Sequence, residues 1–380
     1  MNNYLKFESP EGTCYIKESS VQILAGVDVA VFDCDGVLLD IRESYFRTVA
    51  ETASTILEAL TGSKINPDVF DREINFEFKQ TGGFNNDWSL TYAYIIATLS
   101  ILPNGTLLYL NDIAVRVQDA TPSERLQTFS ELRTPVEVEN KKIRETLLRL
   151  AESIGPGGVD SIDKILLPKV GVNIKQLLRY PGKVGVSVIS TLFEELFAGP
   201  SLFEETFCFP AQFTQRNGGY VDFESVIPKK LTFQRLENLL GGLRFGIASG
   251  SLMNSARHVL GETLQVFPRE AQVWHDDVER AMVETGAQRL HKPSGYSLKQ
   301  ASSPYEPFKQ AIYVGDTMGD ILSAKNASTE DPRYAFMGVY STVDSPDKTL
   351  HMFIREGADA VAPSVNQLPD VIEWARSEPL

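Results

Sequence analysis

Four short runs put carboxylates, a hydroxyl and an ammonium where apolar segments end. "VDVAVFD" runs into "DCDGVLLD", which carries Asp33 and Asp35, and "LRFGIASG" ends on Ser249 and Gly250. "AIYVGD" runs into "GDTMGD", which carries Asp316 and Asp320, and "HKPSG" upstream of it carries Lys292. If the apolar runs are neighbouring strands of an open parallel sheet, their carboxyl ends share one crevice, the place where ligands bind in such sheets. Four carboxylates there repel one another unless something neutralises them. A hard divalent cation does so, and carboxylate oxygens with water suit Mg²⁺. With Lys292 added, the set is suited to a dianion, and phosphate is the obvious candidate. One carboxylate can attack phosphorus to form an aspartyl-phosphate. A second can protonate the leaving oxygen and then activate water. The metal, the lysine and backbone amides would stabilise charge on the transferring group.

Those side chains need strands to hold them. Val27 to Asp33, Leu243 to Gly250, Ala311 to Asp316, Ala335 to Ser341 and Gly357 to Pro363 read as buried strands of a parallel sheet covered on both faces. Helical patterns fall between them at Leu252 to Gly261, Tyr296 to Gln310 and Asp320 to Asn326. This alternation predicts a doubly wound α/β domain. It is absent from about Ile41 to Val226, where "SYFRTVAETASTILEAL", "WSLTYAYIIATLSIL" and "ENKKIRETLLRLAESI" have helical spacing. The expected organisation is a core of residues 1–40 and 227–380 interrupted after its first strand by a mostly helical insert, 41–226. "IGPGGVDS" inside the insert reads as a linker or turn.

In order along the chain, "VFDCDGVLLD", "IASGS", "HKP" and "YVGDTMGD" resemble motifs one to four of the haloacid dehalogenase (HAD) superfamily. The resemblance covers Val27 to Asp40 and Leu243 to about Trp374. It implies a Rossmann-like core, with the insert as a C1 cap of subfamily IA. It further implies Asp33 as nucleophile, Asp35 as general acid/base, Ser249 as phosphoryl ligand and Lys292 as the residue steadying both. Mg²⁺ would be held by Asp33, the Asp35 carbonyl, Asp316, and Asp320 directly or through water. An aspartate at position 35 fits the phosphatases and phosphomutases of the superfamily, whereas true dehalogenases lack it. Motif two has Ser249 where the family usually has threonine, and Gly319 stands where many members have a second aspartate. The implied activity is a Mg²⁺-dependent phosphomonoester phosphatase acting on a small phosphorylated metabolite. The alternatives are a phosphomutase, or a vestigial scaffold whose insert is a binding or assembly surface.

The insert is longer than such caps usually are, and about 103–192 has no recognised counterpart; it would elaborate the lid or contact another subunit. "FKQTGGFNNDWSLTYA" and "LFEELFAGPSLFEETF" are similar to a mainly archaeal and cyanobacterial group of subfamily IA proteins. The resemblance links some of that group to histidine biosynthesis, which implies histidinol phosphate as a substrate. Locally "TGGFNNDW" is a good helix-to-helix turn, with Gly82 or Gly83 at positive φ and Asn86 or Asp87 as a helix cap. In C1-capped relatives this loop reads the leaving group. That makes Lys79, Phe84, Asn85, Asn86, Asp87 and Trp88 candidate substrate contacts.

Plainer structural roles compete with several of these assignments. Asp320 could be a first-turn helix acid, Ser251 a helix cap and Lys292 a solvated loop residue. Asp276 and Asp277 in "WHDDV" could orient Lys292 or start a loop. His291 reads as exposed or supporting, Cys34 as a small packed residue, and Phe46, Tyr92 and Tyr94 as helix packing. The chain has 380 residues, a net charge of -14 and three dispersed cysteines, Cys14, Cys34 and Cys208. The acidic balance disfavours nucleic acid and anionic lipid as partners. The cysteine pattern argues against a disulfide framework. With no secretory pattern at the N-terminus and no long apolar run, the cytoplasm is the expected compartment. A homo-oligomer is compatible with all of this.

Overall fold

The apolar runs become strands because their β-branched and aromatic residues can be enclosed on both faces of a sheet. The computed structural model describes residues 3–84, 86–117, 120–155 and 157–378. In chain order the strands are β1 (Tyr4–Ser9), β2 (Gly12–Lys17), β3 (Val29–Phe32), β4 (Leu39–Asp40) and β5 (Ser225–Val226), then β6 (Phe245–Ala248), β7 (Gln272–Val273), β8 (Ala311–Gly315), β9 (Tyr334–Val339) and β10 (Ala360–Ala362). Eight of them form one sheet in the order β1-β2-β10-β9-β8-β3-β6-β7. From β10 to β7 the neighbours are parallel, and β2 joins β10 antiparallel. The fold is the expected α/β class with a large helical insert.

The chain moves outward from β3 to β6 and β7, then returns past β3 to β8, β9 and β10. The strand order therefore reverses between β3 and β8, and a crevice opens at such a switch point. All four residues of β3 are fully buried. Ala30 and Phe32 pack on one face with Phe233, Leu236, Val371 and Ile372. Val29 and Val31 pack on the other with Leu298, Ala301, Ile321 and Ala324. Each fully buried Val or Phe contributes roughly 1.5–3 kcal/mol, so β3 is a stiff base for the residue that follows it, Asp33.

By contact density the chain divides into Met1–Arg42 with Glu224–Leu380, and Glu43–Phe223. In the first unit β4 pairs antiparallel with β5, so the insert departs and returns through a short ribbon. The second unit is helical, with segments including Ser44–Thr61, Arg72–Gln80, Asp87–Leu99, Asn140–Ser153 and Val188–Phe207. Among the described residues no helix is long and apolar enough to cross a membrane.

Several secondary-structure expectations are corrected. The helix expected over Tyr296 to Gln310 ends at Ser302, because Pro304 and Pro307 cannot continue it. Asp276 and Asp277 start neither a loop nor a contact to Lys292; they lie in the first turn of the helix His275–Thr285. There Asp277 accepts from Trp274 N–H at 3.1 Å and pairs with Arg269 at 2.8 Å and Arg280 at 3.2 Å. The hairpin of β1 and β2 was not expected at all, since its Pro10–Glu11 turn lacks the Asn-Gly or Asp-Gly signal of a tight hairpin.

The helix Val188–Phe207 is broken at Gly199, with φ 73° and ψ 160°, followed by Pro200. A Cβ on Gly199 would stand 2.5 Å from the Gly218 carbonyl carbon. Two backbone segments thus touch where only glycine fits. Gly199→Ala is expected to destabilise the helical unit by about 2–4 kcal/mol. Chemical denaturation of the variant measures this, and a change under about 0.5 kcal/mol, the range of neutral surface substitutions, would remove the packing argument.

Candidate active site

Two strand ends and one loop deliver the charged cluster. Asp33 follows β3, and its N–H continues the sheet by donating to Val314 O at 2.9 Å. Asp316 follows β8, and Asp320 lies in the first turn of the helix Met318–Glu330. Oxygen atoms of Asp33, Asp316 and Asp320 all lie within 4.8 Å of one another. Lys292 joins them, with Nζ 2.8 Å from Asp33 Oδ1 and 2.6 Å from Asp320 Oδ1. The structure therefore brings Asp33, Asp316, Asp320 and Lys292 together, and Lys292 is not a solvated loop residue.

The electrostatics follow from burial. Asp33 is 6% exposed, and desolvation lifts its pKa to about 7; Lys292 opposes the rise and Asp320 adds to it. Burial likewise raises Asp316 well above the ordinary carboxylate value, with repulsion from Asp320 and Asp33 adding to it. Asp320 goes the other way. Burial works against its charge, but Lys292 and the Thr317 donors hold its pKa below the usual value. Burial also opposes charge on Lys292, yet the Asp320 and Asp33 carboxylates carry its pKa well above the ordinary lysine value.

Asp320 is thoroughly satisfied. Its Oδ1 lies 2.9 Å from Tyr313 Oη as well as facing Lys292. Its Oδ2 accepts from Thr317 N at 2.9 Å, Thr317 Oγ1 at 2.6 Å and Asp316 N at 3.2 Å. It is thus the acid of a capping box with Thr317 and the anchor of Lys292 at once. Asp316 differs: its Oδ1 is buried and has no hydrogen-bond partner. A buried carboxylate oxygen without a donor is costly, and a divalent cation is the partner that would satisfy it. The donor set fits Mg²⁺, with Asp316 Oδ1 and Asp33 as carboxylate ligands and Asp320 committed to protein donors. Gly36, at φ 71°, makes room for this: a Cβ there would stand 2.1 Å from Asp316 Oδ2.

Cys34 N–H donates to Asp33 Oδ1 at 2.8 Å, and the Cys34 side chain is fully buried in the core beside the sheet. Burial pushes its thiol well up, so it is a packed residue rather than a reactive thiolate. Asp35 is half-buried in the following turn, where it bridges to Leu39. Ser249 Oγ accepts from Ser251 N–H at 3.1 Å and lies 2.9 Å from Ser251 Oγ. Ser251 therefore does not cap the next helix, whose cap position is Leu252. Gly250 is exposed, with open space where a Cβ would be. His291 contacts Glu279 at 2.6 Å and stacks on His275. Tyr313 and Thr317 escaped the sequence reading. The T-x-x-D spacing could have revealed Thr317, whereas Tyr313 needed the strand register.

In the helical unit the candidate loop residues are engaged locally. Gly82 takes φ 77°, and Asn86 caps the helix Asp87–Leu99 by accepting from Ser89 N–H at 3.0 Å. Asp87 pairs with Lys79 at 3.3 Å. Phe84 is fully buried against Phe78, with ring centroids 5.3 Å apart, so the expectation that it walls a leaving group is corrected. Trp88 Nε1 donates to Glu194 Oε1 at 3.0 Å. Asn85 lies outside the described residues. Tyr92 and Tyr94 are buried packing residues as expected, and Phe46 lies under Arg72.

No protein-family model matches the chain, and no curated protein matches it in sequence. Among solved structures it is similar to target ZR25 of the Northeast Structural Genomics Consortium, an X-ray structure. The TM-score is 0.65 at 19% identity, covering 91% of this chain and 98% of that one. It is also similar to the phosphatase Tt82 from Thermococcus thioreducens, with TM-score 0.45 at 18% identity, over 87% of this chain and 99% of that one. The likeness to ZR25 shows a shared fold.

Glu194 supplies a pH test of the helical unit. Burial pushes its carboxyl from 4.5 up to about 7, against the pull of the Trp88 N–H. The folded state thus binds this proton more tightly than the unfolded chain does. The resulting stability is fully present below pH 4.5 and is lost as pH rises through 7, a change of about 3 kcal/mol. Glu194→Gln keeps the acceptor without the charge. Denaturant unfolding at several pH values should show the variant losing much less stability than wild type across this window, and parallel curves would refute the assignment.

Proposed function

We propose that the protein is a HAD-type phosphatase that hydrolyses the phosphomonoester of a small phosphorylated cytosolic metabolite. The observation that carries this reading is the gathering of Asp33, Asp316 and Asp320 within 4.8 Å around Lys292, with Asp316 Oδ1 buried and unpartnered. Asp33 Oδ1 is held by Cys34 N–H and Lys292, which orients the carboxylate so that Oδ2 is the attacking atom. The new Asp33–phosphorus bond forms as the bond to the leaving oxygen breaks, and Asp35 gives that oxygen its proton. Asp35 then takes a proton from water, which attacks phosphorus and releases phosphate, restoring Asp33. Ser249 Oγ already accepts from Ser251 N–H, so its own proton can serve a phosphoryl oxygen. Asp320 and Tyr313 fix Lys292, whose charge offsets the incoming dianion. Mg²⁺, when bound at Asp316 and Asp33, supplies further positive charge for the phosphoryl oxygens and keeps both carboxylates ionised.

Phosphate release from a panel of phosphorylated metabolites with Mg²⁺ tests this reading. Asp33→Asn should cut turnover by roughly 10³-fold or more. Equal release by wild type and variant would sink the assignment, and isomer interconversion without net phosphate would favour a mutase. Lys292→Met should lose activity and also about 3 kcal/mol of stability, because it leaves two buried carboxylates unpaired. An unaltered unfolding midpoint would show that the pairing is not structural.

A further inference from the structure

The eight-stranded sheet ends in a short strand on one side and a long one on the other. β7 has two residues, whereas β1 has six and no strand beyond it among the described residues. A long open edge is a template for another strand. The backbone pattern tells which groups are free. Glu18 N–H bonds Asn3 O, and Lys17 N–H bonds Asp359 O on the far side of β2. With Tyr4 opposite Lys17 and Phe7 opposite Cys14, Leu5, Phe7 and Ser9 point their N–H and C=O groups at β2. Tyr4, Lys6 and Glu8 point theirs outward.

We propose that β1 pairs with β1 of a second copy of this chain, antiparallel about a two-fold axis through Phe7. A symmetric ladder requires outward-pointing residues to face one another, so the axis must pass through a residue, not between two. An axis through Lys6 sets lysine against lysine, and one through Glu8 sets glutamate against glutamate. The axis through Phe7 sets Lys6 against Glu8 of the second copy, twice, in the two hydrogen-bonded pairs. Both side chains are exposed. Lys6 lies over the Tyr15 ring, and Glu8 accepts from Thr13 on the same face. Lysine on an edge usually discourages pairing; here its complement stands two residues away, so the charges favour self-recognition and fix its register.

The opposite face supports the same occupant. Phe7 stacks on Trp374 at 5.7 Å and meets its own symmetry mate in the close, non-hydrogen-bonded pair. A groove of about 400 Å³ runs beside Phe7, Ser9 and Trp374, and Leu5 of the second copy would stand over it, opposite Ser9. Of the acids lining the groove, Asp370 and Glu373 are each paired with Arg235 at 2.7 Å, and Glu8 is the one that would meet Lys6 of the second copy. The groove therefore offers aromatic surface more than unmet charge, which favours an apolar side chain over a basic peptide.

Light scattering coupled to size exclusion tests this. Wild type should have twice the 42.2 kDa mass of one chain. Lys6→Glu and Glu8→Lys should each raise the dimer dissociation constant by about 30-fold or more and run as monomers. Mixed together they should regain the dimer mass, because every facing pair is again opposite in charge. A variant that had failed to fold would not recover on mixing. The proposal is overturned if wild type is monomeric at micromolar concentration, if either variant alone stays dimeric, or if the mixture stays monomeric.

Discussion

One ammonium group organises the core unit. Lys292 touches Asp33 and Asp320 together, and without it three carboxylates would crowd the ends of β3 and β8 with nothing positive among them. The division of labour follows from how each acid is satisfied. Asp320 receives the lysine, Tyr313 and the donors around Thr317, so it stays ionised and fixed. That fixes Lys292, and Lys292 with the Cys34 N–H fixes Asp33. What remains unmet is the charge on Asp316 and part of Asp33, in a place already poor in water. Under the proposed function, a cation and a dianion would meet that charge, beside the one ammonium that Lys292 supplies.

The strands serve this arrangement more than they reveal it. β3 is stiff because it is buried on both faces, and the reversal of strand order beside it leaves the crevice into which Asp33 and Asp316 emerge. Gly36 at positive φ lets the turn after β3 close onto the Asp316 carboxylate without a Cβ in the way. Stability and geometry are coupled here, since the lysine that balances the buried acids also orients the one proposed to react.

Much of this was legible in the sequence because the signals were local. Continuous apolar runs gave β3, β6, β8, β9 and β10, and polar residues at their ends pointed to Asp33, Ser249 and Asp316. Lys292 was singled out with them, and the resemblance set it beside Asp33; its pairing with Asp320 needed the fold. What stayed hidden was set by register or by tertiary contact. Tyr313 reaches Asp320 across the last two residues of its strand and a turn, a relation no periodicity encodes. The β1–β2 hairpin turns on Pro10 and Glu11; Ser9-Pro10 and Gly12 mark a turn there, but without the Asn-Gly or Asp-Gly pair that signals a tight hairpin. In "TGGFNNDW" the turn chemistry was readable, with Gly82 and Asn86 in the expected roles, but the packing of Phe84 on Phe78 needed the local fold, and the pairing of Trp88 with Glu194 depends on a helix far away in sequence.

Orphaned polar atoms do not by themselves mark a site, and the helical unit shows why. Tyr94 Oη and Thr98 Oγ1 are as buried and unpartnered as Asp316 Oδ1. Those are neutral hydroxyls, each costing roughly 1–3 kcal/mol, a penalty that packing around them can offset. Asp316 is ionisable and sits against two more acids, so its penalty grows with every charge retained nearby. Glu195 shows the opposite case, a carboxylate in the same helical unit met by three backbone N–H groups from residues 212 to 214. The fold can evidently satisfy a buried acid when nothing else is asked of it. That it leaves Asp316 unsatisfied, beside an Asp33 already pushed toward neutrality, is the physical reason to read this cluster as working chemistry rather than architecture.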